Sequence, residues 1–321
     1  MLLKINDLVK VFNKNILAND GISLHIEKGE VFGLLGPNGA GKTTMVNQII
    51  GLTMPTSGSI NINGIDVVSN PDYARQNCSF QSQTQVPIAG LTAIQAIELV
   101  GLIRGGNNIE VQKRTKQLID NLEIGEWANK MGATLSGGVR RIVAFCMAAV
   151  FPGSVVILDE PTNDIDPVRR RLLWNQVRSL ADMGSAVLLV THNVLEAERA
   201  VDRLTIIDQG KVVGTGTAAD LKGQDEDHMR LELVFEPGMQ FSEHPDLLEH
   251  AVTSRRRVIG RIAEKKVVEA LEWAQSLKEK GVVEEFFLGP TTLEDAYVRM
   301  VGRTDVVEIT EGDIVNEQST S

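Results

Sequence analysis

Gly36-Pro37-Asn38-Gly39-Ala40-Gly41-Lys42-Thr43 fits the pattern G-x-x-x-x-G-K-[ST], and the rest of the chain can be read outward from it. Glycines allow successive backbone N–H groups to curl around an anion with no Cβ in the way. A helix starting near Lys42 aims its positive end at the same point. Lys42 supplies a mobile cation for terminal phosphates, and the Thr43 hydroxyl can ligate Mg²⁺. The apolar run Glu30–Leu35 before the loop reads as a strand, and Lys42–Ile50 after it reads as a helix.

Two further stretches extend this chemistry. Val155-Val156-Ile157-Leu158-Asp159-Glu160 reads as a buried strand closing on two acids. Many strands end on acids at solvent. Beside a phosphate loop, though, Asp159 suits a metal ligand and Glu160 a group near the attacking water. Leu135-Ser136-Gly137-Gly138 stands before a helical pattern. It reads either as a helix-start turn or as a second anion site made by Ser136 and backbone N–H groups.

Around these motifs, short apolar runs alternate with helical patterns to about residue 210, which predicts an α/β core. Leu2–Val11 and Ser23–Ile26 read as strands, and Ser59–Gly64 alternates up to a turn residue. Asn70-Pro71-Asp72 has the form of a capped helix start. Thr92–Ala149 is mostly helical, predicting a helical insertion at about 84–150. Ala186–Val190 reads as a second buried strand, and Leu204–Asp208 with Lys211–Gly214 as a hairpin about Gln209-Gly210.

The composition shifts at Lys222–Asp227, a charged run read as a linker closing a first domain at 1–222. A small α+β domain is expected over 223–303, with strands at Met229–Phe235, Arg257–Ile262 and Val282–Leu288. Its helix at Lys265–Lys280 is expected to bury Val267, Leu271, Ala274 and Leu277 and to stop at Gly281. Thr291-Thr292-Leu293-Glu294 has the form of a capping box, and the acidic tail 304–321 reads as disordered.

Composition excludes several classes. A formal net charge of −10 argues against nucleic acid as a general partner, and Arg255-Arg256-Arg257 reads as a solvated strand end. Cys78 and Cys146 lack metal-ligand spacing and read as buried thiols. The start of the chain has no apolar core of signal-peptide length. Ile142–Leu158, the most apolar stretch, is broken by Pro152-Gly153 and falls short of the about 18 residues a spanning helix needs. The expectation is a soluble chain that reaches any membrane through a partner.

Taken in order, the segments resemble the nucleotide-binding domain of ATP-binding cassette (ABC) proteins over about residues 1–220. Gly36–Thr44 matches the Walker A loop, Gln83 the Q-loop, Leu135–Gly138 the signature, Val155–Glu160 Walker B, Asp166 the D-loop and His192 the switch histidine. The resemblance implies a P-loop NTPase cassette: a RecA-like core with an antiparallel β subdomain and a helical subdomain, binding ATP and Mg²⁺. It implies that Gly36, Asn38, Gly39, Ala40, Gly41, Lys42, Thr43 and Thr44 hold the nucleotide, with Phe12 stacked on adenine. Thr43, Gln83 and Asp159 would serve the metal, and Lys42, Gln83, Glu160 and His192 the chemistry. Ser136, Gly137, Gly138 and Asp166 would complete the site, with Ser136 and Gly138 acting from a second chain in a head-to-tail dimer. Three departures stand out. Val139 replaces a common Gln, Asn163-Asp164-Ile165-Asp166 replaces a Gly-Leu-Asp form, and Gln81, Gln83 and Gln85 crowd the Q-loop. Spacing to Leu91-Thr92 selects Gln83.

The C-terminal stretch Gly281–Tyr297, above all Thr292-Leu293-Glu294-Asp295, resembles the terminal domain of drug-exporter ATPases of the daunorubicin-resistance type. This implies an ATPase on the cytoplasmic face of the cell membrane, as a homodimer or with a related ABC subunit. It would drive export through a separately encoded transmembrane permease. The alternative is a soluble ABC ATPase acting on translation, DNA or an assembly scaffold.

Overall fold

The computed structural model describes residues 1–13, 15–84, 87–223, 228–239 and 247–301. Gln85, most of the predicted linker and the acidic tail lie outside these residues. The chain divides into two compact units, Met1–Leu221 and Lys222–Ser321.

The first unit opens with β1 (Leu3–Phe12) and β2 (Ile16–Ile26), which pair antiparallel. Next come β3 (Val31–Leu35), α1 (Lys42–Ile49), β4 (Ser57–Ile62), β5 (Ile65–Asp66), α2 (Pro71–Asn77) and β6 (Cys78–Gln81). Strands β2, β1, β4 and β5 form one antiparallel sheet, in that order. The helical insertion holds α3 (Ala93–Ile103), α4 (Asn108–Asn121) and α5 (Gly137–Ala149). Then follow β7 (Val155–Asp159), α6 (Pro167–Asp182), β8 (Ala186–Thr191), α7 (Val194–Ala200), β9 (Arg203–Asp208), β10 (Lys211–Gly216) and α8 (Ala218–Lys222).

The central sheet runs β10-β9-β3-β8-β7-β6, with every neighbouring pair parallel except β10 with β9. It separates two cores, and side-chain alternation along each strand feeds both. Val156 and Leu158 of β7 pack with α3–α6, whereas Val155 and Ile157 pack toward α1 and the antiparallel sheet. β8 divides likewise, Val187 and Leu189 against Ala186, Leu188 and Val190. Burial on both faces is why these runs read as continuously apolar. Each fully buried aliphatic side chain contributes roughly 1.5–3 kcal/mol.

Local chemistry sets the helix starts. Asn70 accepts from the Tyr73 N–H at 3.3 Å, and Thr92 and Gln95 form a reciprocal capping box on α3. Besides the two-residue β5, two strands escape the sequence reading. In β6, Ser79 and Gln81 are polar yet buried, so no apolar run marks it. The other, β12 (Glu249–Ser254), belongs to the second unit and in chain order follows β11 (His228–Phe235) and precedes β13 (Arg257–Ala263).

That second unit continues with α9 (Val267–Glu279), β14 (Val283–Pro290) and α10 (Leu293–Val301), and its antiparallel sheet runs β12-β13-β11-β14. Helix α9 packs Ala270 and Ala274 against Leu231, Leu233, Val258 and Val283, with Val267 and Leu277 beside them. Leu271, expected on that face, is 42% exposed. The small alanines let the helix approach the sheet, which turns the stripe so that Leu271 falls outside it. The capping box also sits one residue later than read. Thr292 and Asp295, not Thr291 and Glu294, exchange hydrogen bonds, at the start of a helix that buries Leu293, Ala296, Tyr297 and Val301. The arginine run is paired: Arg257 with Glu232 at 3.2 Å, and Arg256 with Glu284 and the Phe235 carbonyl.

Candidate nucleotide site

In a parallel sheet, ligands bind beyond the carboxyl ends of the strands. Here β3, β8, β7 and β6 are neighbours in that order, and each ends on a segment singled out in the sequence. β3 runs into the Gly36–Thr44 loop, β8 into Thr191-His192, β7 into Asp159-Glu160 and β6 into Gln81–Gln83.

The loop is shaped by what its glycines permit. A Cβ at Gly36 would meet the Ile207 carbonyl at 2.3 Å, and one at Gly41 would meet the Ala18 carbonyl at 2.2 Å. Gly41 also has φ +101°, in the left-handed region, as the residue that starts α1. Asn19, fully buried on β2, donates to the Gly41 carbonyl at 3.2 Å and braces the turn. Asn38 and Gly39 are exposed at the tip, Ala40 is buried, and Thr43 and Thr44 begin the helix with Thr43 exposed. Lys42 curls over the loop and donates to the carbonyls of Gly36 and Pro37. Burial pulls its pKa down, while Glu160 and Asp159 hold it up, which places both acids near the ammonium.

Asp159 is buried, and its carboxyl is pushed up to about 6 by burial and by Glu160. Lys42, Arg141 and the Gln83 backbone N–H act in the opposite sense. Glu160 is 4% exposed and sits at φ +49°, unusual for a residue with a side chain. One carboxylate oxygen accepts from the Thr191 hydroxyl at 3.0 Å. The other accepts from the His192 backbone N–H at 2.9 Å and lies 2.6 Å from His192 Nδ1. That bond raises the His192 pKa above its ordinary value, against burial. A carboxylate has about four lone-pair positions, of which the described residues fill three on Glu160, leaving one for water.

Gln83 is exposed, and its backbone, rather than its side chain, is engaged: its carbonyl accepts from Arg141 at 2.7 Å. Phe12 lies at the end of β1, 42% exposed, with the Lys10 ammonium 5.0 Å from its ring centroid. Lys42, Asp159, Glu160, His192 and Gln83 are thus brought together. Ser136, Gly137, Gly138 and Asp166 form a second group at the starts of α5 and α6. Ser136 caps α5 through the Val139 N–H, and Asp166 caps α6 through the N–H groups of Val168 and Arg169. The two loops touch: a Cβ at Gly138 would meet the Asp164 carbonyl at 2.4 Å.

The sequence reading missed Thr191, Asn19 and Arg141. Thr191 was findable as the last residue of a buried strand beside His192. Asn19 and Arg141 carried no sequence signal.

An ABC transporter family profile matches residues 19–163, and a profile of an AAA domain matches 132–198. The chain is 32% identical over 94% of its length to the daunorubicin/doxorubicin resistance ATP-binding protein DrrA of Streptomyces peucetius, covering 92% of that protein. The chain belongs to the ATP-binding proteins of ABC transporters. As a member of that family it is an ATPase with a P-loop cassette fold. A Nod factor export ATP-binding protein I of Cupriavidus metallidurans is 28% identical over 94% of this chain and 98% of its own. Among solved structures, an ATP-binding subunit of an ABC transporter superposes with TM-score 0.66 at 28% identity, over 70% of this chain and 93% of that one. A dimeric ATP-binding cassette in a post-hydrolysis state with ADP and Pi superposes with TM-score 0.62 at 26% identity, over 67% and 98%.

Proposed function

We propose that this ABC ATPase is the motor of an exporter. Two copies, or one copy and a related subunit, close on two ATP molecules and drive a separately encoded transmembrane permease from the cytoplasmic face of the membrane. The observation that carries the reading is the length of the match to the drug-resistance ATP-binding protein, which extends well past the cassette into the second unit. Among the described residues no helix is long and apolar enough to cross a membrane, which fits a partner supplying the path.

Within the site, the loop's backbone N–H groups and Lys42 bind the phosphates, and Phe12 offers a ring face to the base. The residues present fit Mg²⁺: a carboxylate at Asp159 and an exposed hydroxyl at Thr43, beside a glycine cradle where a side chain would collide. When bound, Mg²⁺ neutralises phosphate charge. Glu160 orients and polarises the attacking water, and His192, held by Glu160, reaches toward the terminal phosphate. Ser136 and Gly138 complete the site across the dimer. In this reading the second unit strengthens or regulates that dimer.

Glu160→Gln is expected to keep ATP binding, slow turnover by about a hundredfold or more and trap a nucleotide-bound dimer on size exclusion. Turnover at the wild-type rate would remove Glu160 from the role. Purification from native membranes tests the job: a co-purifying polytopic membrane protein supports export, and a soluble scaffold or ribosome contradicts it.

A further inference from the structure

Arg141 lies on α5, one turn beyond the signature residues, and is bonded through its backbone carbonyl to the last residue of β6 and through its guanidinium to the segment that follows. Its guanidinium donates to the Gln83 carbonyl at 2.7 Å. Its own carbonyl accepts from Gln81 Nε2 at 3.4 Å. Gln81 is 1% exposed, and its Oε1 has no partner among the described residues. A buried amide half satisfied in this way is costly, and among the described residues the bond to Arg141 is the one it makes. Gln83 in turn lays its backbone N–H against Asp159, and Arg141 also acts on the Asp159 carboxylate through its charge. Three elements, α5, the end of β6 and the end of β7, therefore converge on one residue, Gln81 on its backbone carbonyl and Gln83 and Asp159 on its guanidinium.

We propose that Arg141 is a positioning residue for ATP hydrolysis, clasping the Gln81–Gln83 segment to the signature helix so that Gln83 is held at the metal-binding end of β7. The clasp lies within one chain. It makes the start of α5 and the Q-loop a single mechanical piece, so a shift of either carries the other. The inference rests on Gln83 and Asp159 serving the metal.

The test uses the purified full chain with Arg141→Met, which keeps the stem and helix propensity, and Arg141→Lys, which restores a cation and a donor. Arg141→Met is expected to lower kcat about tenfold and to raise the Mg²⁺ concentration giving half-maximal rate several-fold. KM for ATP and the melting temperature should stay close to wild type. Arg141→Lys should recover most of the loss. In a Gln83→Ala background, Arg141→Met should cost less than twofold further, because both act through one segment. Unchanged kcat and Mg²⁺ dependence in Arg141→Met would overturn the proposal. So would a full tenfold loss on top of a Gln83→Ala variant that is itself impaired, or a loss that follows melting temperature alone. If Gln83→Ala is silent while Arg141→Met shifts the Mg²⁺ dependence and Arg141→Lys restores it, the clasp stands. The role given to the Gln83 side chain then fails.

Discussion

Asp159 shows how the site trades stability for chemistry. Between its ordinary 3.8 and the value of about 6 it has in the fold, the folded chain keeps a proton that the unfolded chain has lost. Stability therefore falls as pH rises through that window, and at neutral pH the ionised carboxylate is a net cost. Asp159→Asn is accordingly expected to melt above wild type at pH 7.5 in metal- and nucleotide-free buffer. The gap should close toward pH 4, as differential scanning calorimetry can follow. Glu160 carries a second cost, its positive φ, in a position fixed by its N–H bond to the Val190 carbonyl at 2.9 Å.

Among the elements, those with one dominant signal were legible and those with divided signals were not. The runs that became β7 and β8 were unambiguous because both faces are buried. β6 was hidden because Ser79 and Gln81 occupy buried positions with polar atoms, Gln81 for the contact with Arg141 and Ser79 to accept from the Gly153 N–H at 3.0 Å. β12 offers only the apolar pair Ala251-Val252, a weaker signal than the alternation of β13. Helix α9 was legible with Val267, Ala274 and Leu277 on its packed face, but Leu271 falls outside that face and Ala270 lies on it, since a period-3.6 pattern leaves the edge of the stripe open. The difference can be measured. Leu271→Ser is expected to change unfolding free energy by less than about 0.5 kcal/mol. Ala274→Leu should overpack the interface with the sheet and cost about 1–3 kcal/mol in urea titrations.

For the whole molecule, the phosphate loop and the two acids could be placed at strand ends from their own sequence pattern, whereas His192 entered only through the resemblance. The bonding among them was not legible, because it depends on which strands become neighbours, and no spacing in a sequence states that β8 lies between β3 and β7. The contact of Gly138 with the Asp164 carbonyl is hidden for the same reason. The second unit, Lys222–Ser321, has its own sheet and core, so truncation after Lys222 is expected to leave a folded cassette that still binds ATP. If the unit reinforces pairing, sedimentation should show weaker dimerisation of the truncated chain. Equal association of both forms would assign the unit another task.

Cys78 and Cys146 are buried, unbridged and pushed up to about 12 by burial, so neither offers a reactive thiolate in the folded state. To a thiol reagent the native molecule is blank. A cysteine placed at exposed Asn38 and another at exposed Ser136 would then be the reactive pair, with no need to remove the natural ones. Whether those two positions meet between copies during turnover becomes a question of disulfide yield on a gel, readable in the intact protein and in the membrane.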